Sequence, residues 1–132
     1  MRTHWLGWLA LTLLALLQPP GQIAADTKFD LTANPAGFLR NALHIYTDEF
    51  PLGQVQNQAY GYLFPQGPFF LLADWLHVPD WVAQRVWWAL LLSIAYSGTL
   101  VLARRIGITG TLPAVTAAVL YALSVSYTHL RA

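Results

Sequence analysis

The stretch AQRVWWALLLSIAYSGTLVLA, residues 83–103, decides how the rest of this chain is read. Its 21 residues carry a single charge, Arg85, close to the start. An α-helix needs about 20 mostly apolar residues to cross the hydrocarbon core of a bilayer. Trp81, Trp87 and Trp88 gather at the Arg85 end, as an aromatic belt does at a membrane surface. From there the long stem of Arg85 lets its charge snorkel to the interface. Arg104 and Arg105 close the far end, and arginines beside a span favour the cytoplasmic side. The segment 81–105 therefore reads as a transmembrane helix running from outside to inside.

The whole composition agrees. The 132 residues are 56% hydrophobic and only 10% charged, with a mean hydropathy of +0.45, whereas a soluble domain carries about 25% charged residues. A net charge of +1 gives no footing for nucleic acid. With no cysteine, disulfides, thiolate metal sites and cysteine nucleophiles are excluded. All six acidic residues, Asp26, Asp30, Asp48, Glu49, Asp74 and Asp80, fall between positions 26 and 80. Arg2 and the Arg104-Arg105 pair stand at the far ends of the flanking apolar runs, so residues 26–80 form a polar loop outside the cytoplasm.

The first apolar run, Trp5 to Leu17, has thirteen uncharged residues and is followed by QPPGQIAA, residues 18–25. To span, its helix must continue through Pro19-Pro20 and bend there, making 1–25 the first transmembrane helix. The same residues also fit a cleaved signal peptide, with Arg2, a short apolar core, a Pro/Gly break and small residues before Asp26. A third run begins at Leu112-Pro113, after a tight Gly107–Gly110 turn, and starts another helix over 111–124. Residues 125–132, VSYTHLRA, look like the translation of a common sequencing-library transposase adapter, which would end the native sequence near Ser124.

Within the outside loop, Asp26 and Asp30 are four apart and share a face in either helical or extended conformation, with Lys28 between them. The plain reading is a solvated turn. Asn34-Pro35 signals a helix start, with Asn as cap and Pro in the first turn. Phe38, Leu39, Ala42, Leu43 and Tyr46 then recur at helical spacing opposite Arg40, Asn41 and His44, which predicts an interfacial amphipathic helix. The segment from Gln54 to Pro68 is the richest in amides and aromatic rings. Gln56, Asn57 and Gln58 offer both donors and acceptors, and Tyr60 and Tyr62 offer ring faces with polar rims, a combination that suits sugars. It equally suits a buried loop whose amides satisfy main-chain groups. Phe69 to Leu76 predicts a second interfacial or re-entrant helix. No residues cluster at metal-ligand spacing, so no metal is required, although a divalent ion is compatible.

The segments QPPG (18–21), ADTKFDLTANPAGFLRNALHIY (25–46) and GQVQNQAYGYLFPQGPFFLLADWLHVPDWVAQRVWWALLL (53–92) closely resemble the amino-terminal region of actinobacterial α-(1→3)-arabinofuranosyltransferases. The QNQAYGYLFP run (56–65) with QRVWWALLL (84–92) is its most specific part, and the likeness covers about Trp5 to Ser124. The resemblance implies an all-α membrane fold of the GT-C type, a polytopic helical bundle of which this chain holds two to three transmembrane helices and the interfacial helices of the first outside loop. It implies a plasma-membrane enzyme of arabinogalactan and lipoarabinomannan assembly, with a polyprenyl-phosphate arabinofuranose donor and an arabinan acceptor. Asp26 fits the catalytic base that such enzymes carry just after the first span, with Asp30 as the second candidate. Lys28 and Arg40 are the local cations for the leaving phosphate, and Gln56, Asn57, Gln58, Tyr60 and Tyr62 the sugar-facing wall. Because a GT-C site is assembled from many helices, these residues alone are expected to be inactive. Two rival readings remain: a transferase of another lipid-linked sugar such as mannose, and a non-catalytic glycan-binding or assembly surface.

Overall fold

A computed structural model describes residues 2–17, 19–24, 29–47, 52–55 and 59–130. They form six α-helices, α1 (Arg2–Leu16), α2 (Phe29–Ala33), α3 (Pro35–Ala42), α4 (Gln66–Trp75), α5 (Asp80–Arg105) and α6 (Thr111–Leu130). A 3₁₀ turn spans Ala59–Tyr62, and β1 (Tyr46–Thr47) pairs antiparallel with β2 (Gln54–Val55). The chain divides into two compact units, residues 1–24 with 85–132, and residues 25–84.

In the first unit, α5 is the one helix among the described residues long and apolar enough to cross a membrane. Its 26 residues, at about 1.5 Å each, cover about 39 Å against a hydrocarbon core of about 30 Å. The apolar parts of α1 and α6, Trp5–Leu16 and Thr111–Ser124, are shorter. The core is a stripe from each helix at four-residue spacing: Leu11 and Ala15, then Leu92, Tyr96 and Leu100, then Ala114, Ala118 and Ala122. Small residues on such a stripe let backbones approach closely where lipid removes any hydrophobic drive between helices. The closest approach is at Gly7. A Cβ there would lie 2.5 Å from the Tyr96 ring, and Tyr96 is wholly buried, with no hydrogen-bond partner for its hydroxyl among the described residues. Beside it the Trp8 indole N–H donates to Ser97 Oγ at 3.0 Å, and that hydroxyl donates to the Ser93 carbonyl at 2.7 Å. Leu6, Leu9, Leu13, Ile94, Val101 and Leu120 point outward.

Two expectations change here. α1 stops at Leu16 and does not bend through Pro19-Pro20. Pro20 has no N–H to give the Leu16 carbonyl, and each proline disfavours a helical conformation in the residue before it. The Leu17 N–H closes the last turn onto Leu14 O at 3.3 Å, and Pro19–Gln22 then makes a turn closed by Gln22 N–H to Pro19 O at 3.4 Å. Gly21 takes the positive φ of +81° that a type II turn requires after Pro20. Arg85 is the second change. It is not extended into solvent: it is 2% exposed, and its guanidinium donates to that same Pro19 carbonyl.

α5 ends as the glycine predicts. Gly107, at φ +88°, donates to Arg104 O at 3.2 Å, and Ile108 N–H reaches back to Ala103 O at 2.9 Å, a Schellman closure whose Ile108 side chain packs on the core. α6 then starts at Thr111 and runs past Ser124 to Leu130.

Gly7→Ala in the full-length protein should lower the detergent melting temperature, because overpacking against Tyr96 costs about 1–3 kcal/mol. Gly98→Ala, whose added Cβ meets nothing within 4 Å, should leave it unchanged or raise it. Equal melting of the two variants would contradict the packing described.

Candidate functional site

The second unit, residues 25–84, carries the loop that the sequence marks for chemistry, and α3 is its hub, with α2, the 3₁₀ turn and α4 all packed against it. Asn34 begins α3 as expected: its Oδ1 accepts the Gly37 N–H at 3.0 Å, with Pro35 at the first helical position. The helix ends at Ala42, sooner than the apolar spacing out to Tyr46 predicts. Its last carbonyls are closed by Leu43 N–H to Leu39 O and His44 N–H to Asn41 O, and Tyr46 pairs instead with Val55 in the short ladder. The Tyr46 hydroxyl donates to Leu52 O at 3.1 Å, beside Leu52 and Gly53, which both have positive φ.

Leu31, Ala42 and Phe70 form the buried interior of this unit, with Thr32, Pro35, Gly67 and Ala73. A Cβ on Gly67 would lie 2.4 Å from Leu39 and 2.7 Å from the Tyr62 carbonyl, so only glycine lets α4 start so close to the 3₁₀ turn. α4 covers Gln66–Trp75, matching the predicted short apolar helix but starting three residues earlier, at Gln66 rather than Phe69. It closes in a second Schellman arrangement, with His77 N–H to Asp74 O and Val78 N–H to Ala73 O, both 2.9 Å. His77 there takes φ +56°, a place usually given to glycine. Asp80 is the first residue of α5.

Of the residues singled out for function, Asp30, Arg40, Tyr60 and Tyr62 can be placed. Asp26, Lys28, Gln56, Asn57 and Gln58, like Asp48 and Glu49, lie outside the described residues. Asp30 sits exposed in the first turn of α2, where a helix dipole favours a carboxylate, and its main-chain carbonyl accepts Asn34 N–H at 2.8 Å. Arg40 is exposed in the last turn of α3. Among the described residues no ion pair joins Asp30 and Arg40, and no three of His, Asp and Glu gather as a metal would need. The two tyrosines part company. Tyr62 is half-buried, its ring set edge-on against Phe38 at 5.9 Å and 85°, while Tyr60 is exposed. Sequence reasoning missed Arg85 as a buried group. The available signal was a lone charge inside an apolar run, which that reasoning assigned to snorkelling.

The family described as α-(1→3)-arabinofuranosyltransferase, N-terminal GT-C domain, matches residues 10–130. The chain belongs to that family. It is 53% identical over 115 residues to the α-(1→3)-arabinofuranosyltransferase of Mycolicibacterium smegmatis, covering 87% of this chain and 8% of that protein. With the Mycobacterium tuberculosis protein of the same name it shares 49% over 122 residues, 91% of this chain and 9% of the relative. A cryo-EM structure of the mycobacterial arabinofuranosyltransferase AftD superposes with a TM-score of 0.81 at 46% identity, over 92% of this chain and 9% of that one. An R1389S variant of the same enzyme gives 0.82, over 93% and 10%. The chain thus has the helical fold of a GT-C membrane glycosyltransferase and spans under a tenth of the length of the curated relatives it matches.

Tyr62→Ala in the full-length protein should lower its melting temperature, since the edge-on ring pair contributes about 0.5–1.5 kcal/mol beyond its buried area. Tyr60→Ala should leave melting unchanged. Melting of the two variants in the opposite order would show that the Phe38–Tyr62 pair does not hold the unit.

Proposed function

We propose that this chain supplies the first outside loop, and the spans that hold it, of an arabinofuranosyltransferase working at the outer face of the plasma membrane. The observation carrying this reading is the 53% identity, over 87% of the chain, to a protein of that name. The donor is a polyprenyl-phosphate arabinofuranose and the acceptor an arabinan chain of arabinogalactan or lipoarabinomannan. Residues 26–80 face outward, with Arg104 and Arg105 on the cytoplasmic side.

Asp26 is the base in this reading. It takes the proton of the acceptor hydroxyl as that oxygen bonds to the anomeric carbon, while the bond from that carbon to the phosphate oxygen breaks. The electron pair leaves with the polyprenyl phosphate, whose charge needs a nearby cation, and Lys28 and Arg40 are the local ones. A lipid-borne donor keeps its head group at the interface, so a base directly after a membrane helix is where the reacting carbon can be met. Asp30, exposed at the start of α2, is the alternative base. Gln56, Asn57, Gln58 and Tyr60 contribute the sugar-facing wall, and Tyr62 supports it from behind through Phe38.

Asp26→Asn in the full-length enzyme should lower turnover by on the order of 10²–10⁴-fold, the share general-base catalysis supplies. Membrane insertion should be unchanged. Full activity in that variant with loss in Asp30→Asn would move the base to Asp30. Turnover with polyprenyl-phosphate mannose but not arabinofuranose would overturn the choice of sugar.

A further inference from the structure

α3 and α4 use their apolar residues differently. α3 turns them inward: Pro35 and Ala42 are buried, Phe38 meets Tyr62 and Leu39 lies over Gly67, while Arg40 and Asn41 are exposed. α4 buries Gly67, Phe70 and Ala73 in the same interior. On its other side Pro68, Leu71, Leu72 and Trp75 are exposed, Trp75 at 79% and Leu72 at 53%. These four positions fall at i, i+3, i+4 and i+7, so they form one continuous stripe along the helix. A single exposed leucine is ordinary on a protein surface, but a joined apolar stripe without a charge marks a contact site. Asp74, the one charged residue of α4, stands beside the stripe, about 60° round the helix from Leu71.

The place of the stripe indicates what covers it. The unit of residues 25–84 includes the first residues of α5, and only Leu76–Pro79 separate that helix from α4. Those four residues are tied at both ends. His77 N–H donates to Asp74 O and Val78 N–H to Ala73 O, while the Pro79 carbonyl accepts the Val82 and Ala83 N–H groups at 2.8 and 3.0 Å. Even fully extended, the chain from Trp75 to Asp80 covers at most about 18 Å. α5 is long and apolar enough to cross a membrane and has Trp81 in its first turn, so α4 is tethered close to the point where the chain enters the bilayer. Its ten residues cover about 15 Å, half the hydrocarbon thickness and too little to cross.

We infer that Pro68, Leu71, Leu72 and Trp75 form a lipid-contact face, by which α4 rests along the surface of the bilayer that α5 crosses. Uncharged aliphatic side chains with tryptophan at one end suit that layer. The leucines exchange water for acyl chains, and the Trp75 indole lies at headgroup level with its N–H toward water. Asp74, at the edge of the stripe, stays on the water side. Because Phe70 and Gly67 of the same helix hold the interior of the unit, this contact sets the height of the unit above the acyl chains.

The test uses the full-length protein in vesicles of phosphatidylcholine that contain no polyprenyl phosphate, on a background without other reactive cysteines. A nitroxide is attached at Leu72→Cys or at Trp75→Cys, both exposed positions where the label displaces no packing. Collisions with oxygen, which concentrates among acyl chains, should exceed collisions with a water-soluble nickel chelate several-fold at both positions. The depth should correspond to about 5–10 Å into the headgroup and acyl boundary. Nickel favoured over oxygen at either position would place the face in water and overturn the inference. Labels shielded from both reagents would overturn it as well, because another part of the polypeptide would then cover the stripe.

Discussion

Hydrocarbon contains no water to satisfy a polar group, and much of this structure follows from how main-chain donors and acceptors are paired within the protein. α5 solves the problem along its 26 residues with helical bonding, and two of its hydroxyls turn back onto their own helix, Ser97 to the Ser93 carbonyl and Thr99 to that of Ala95. Its end is closed by Gly107 and Ile108, which reach back to Arg104 and Ala103. Where two prolines deny the chain its donors, the helix ends, and the carbonyl of Pro19 is taken up by a turn and by Arg85. The buried arginine belongs to the same accounting as the main chain around it.

The two units are held by different means. Around α5 the leucines and Tyr96 of the core are met by alanines and a glycine, small residues that let the helices approach closely. The unit of residues 25–84 is held by Leu31, Phe70, the Phe38–Tyr62 pair and the tight seat of Gly67. Such packing leaves exposed polar residues such as Asp30, Arg40 and Tyr60 on a fixed frame, which is how loops carry chemistry on a scaffold.

Legibility in the sequence tracked how local the deciding physics was. The Asn34 cap and the Gly107 stop were readable because each depends on neighbours within about one turn of helix, and the α5 span because it is one continuous apolar run. The extent of α3 was not. Tyr46 has the right spacing for the helix, but its pairing with Val55 across nine residues decides its conformation. The two prolines were visible, yet length arithmetic for a span argued for carrying the helix through them, and the missing N–H groups outweighed it. For the candidate site, residue types and order marked Tyr60 and Tyr62 alike, and only the contact with Phe38 separates a surface ring from a packed one.

By itself the sequence determined the membrane character of the chain, the helix caps and the family. All of these rest on composition, short-range spacing or direct residue matches. Only the tertiary structure decided that Arg85 faces inward to Pro19, that Gly7 seats Tyr96, and that Tyr62 braces the loop from within. Each of these joins residues far apart in the chain, and no local propensity encodes which distant group will arrive to fill a carbonyl's free acceptor position or the space above a glycine.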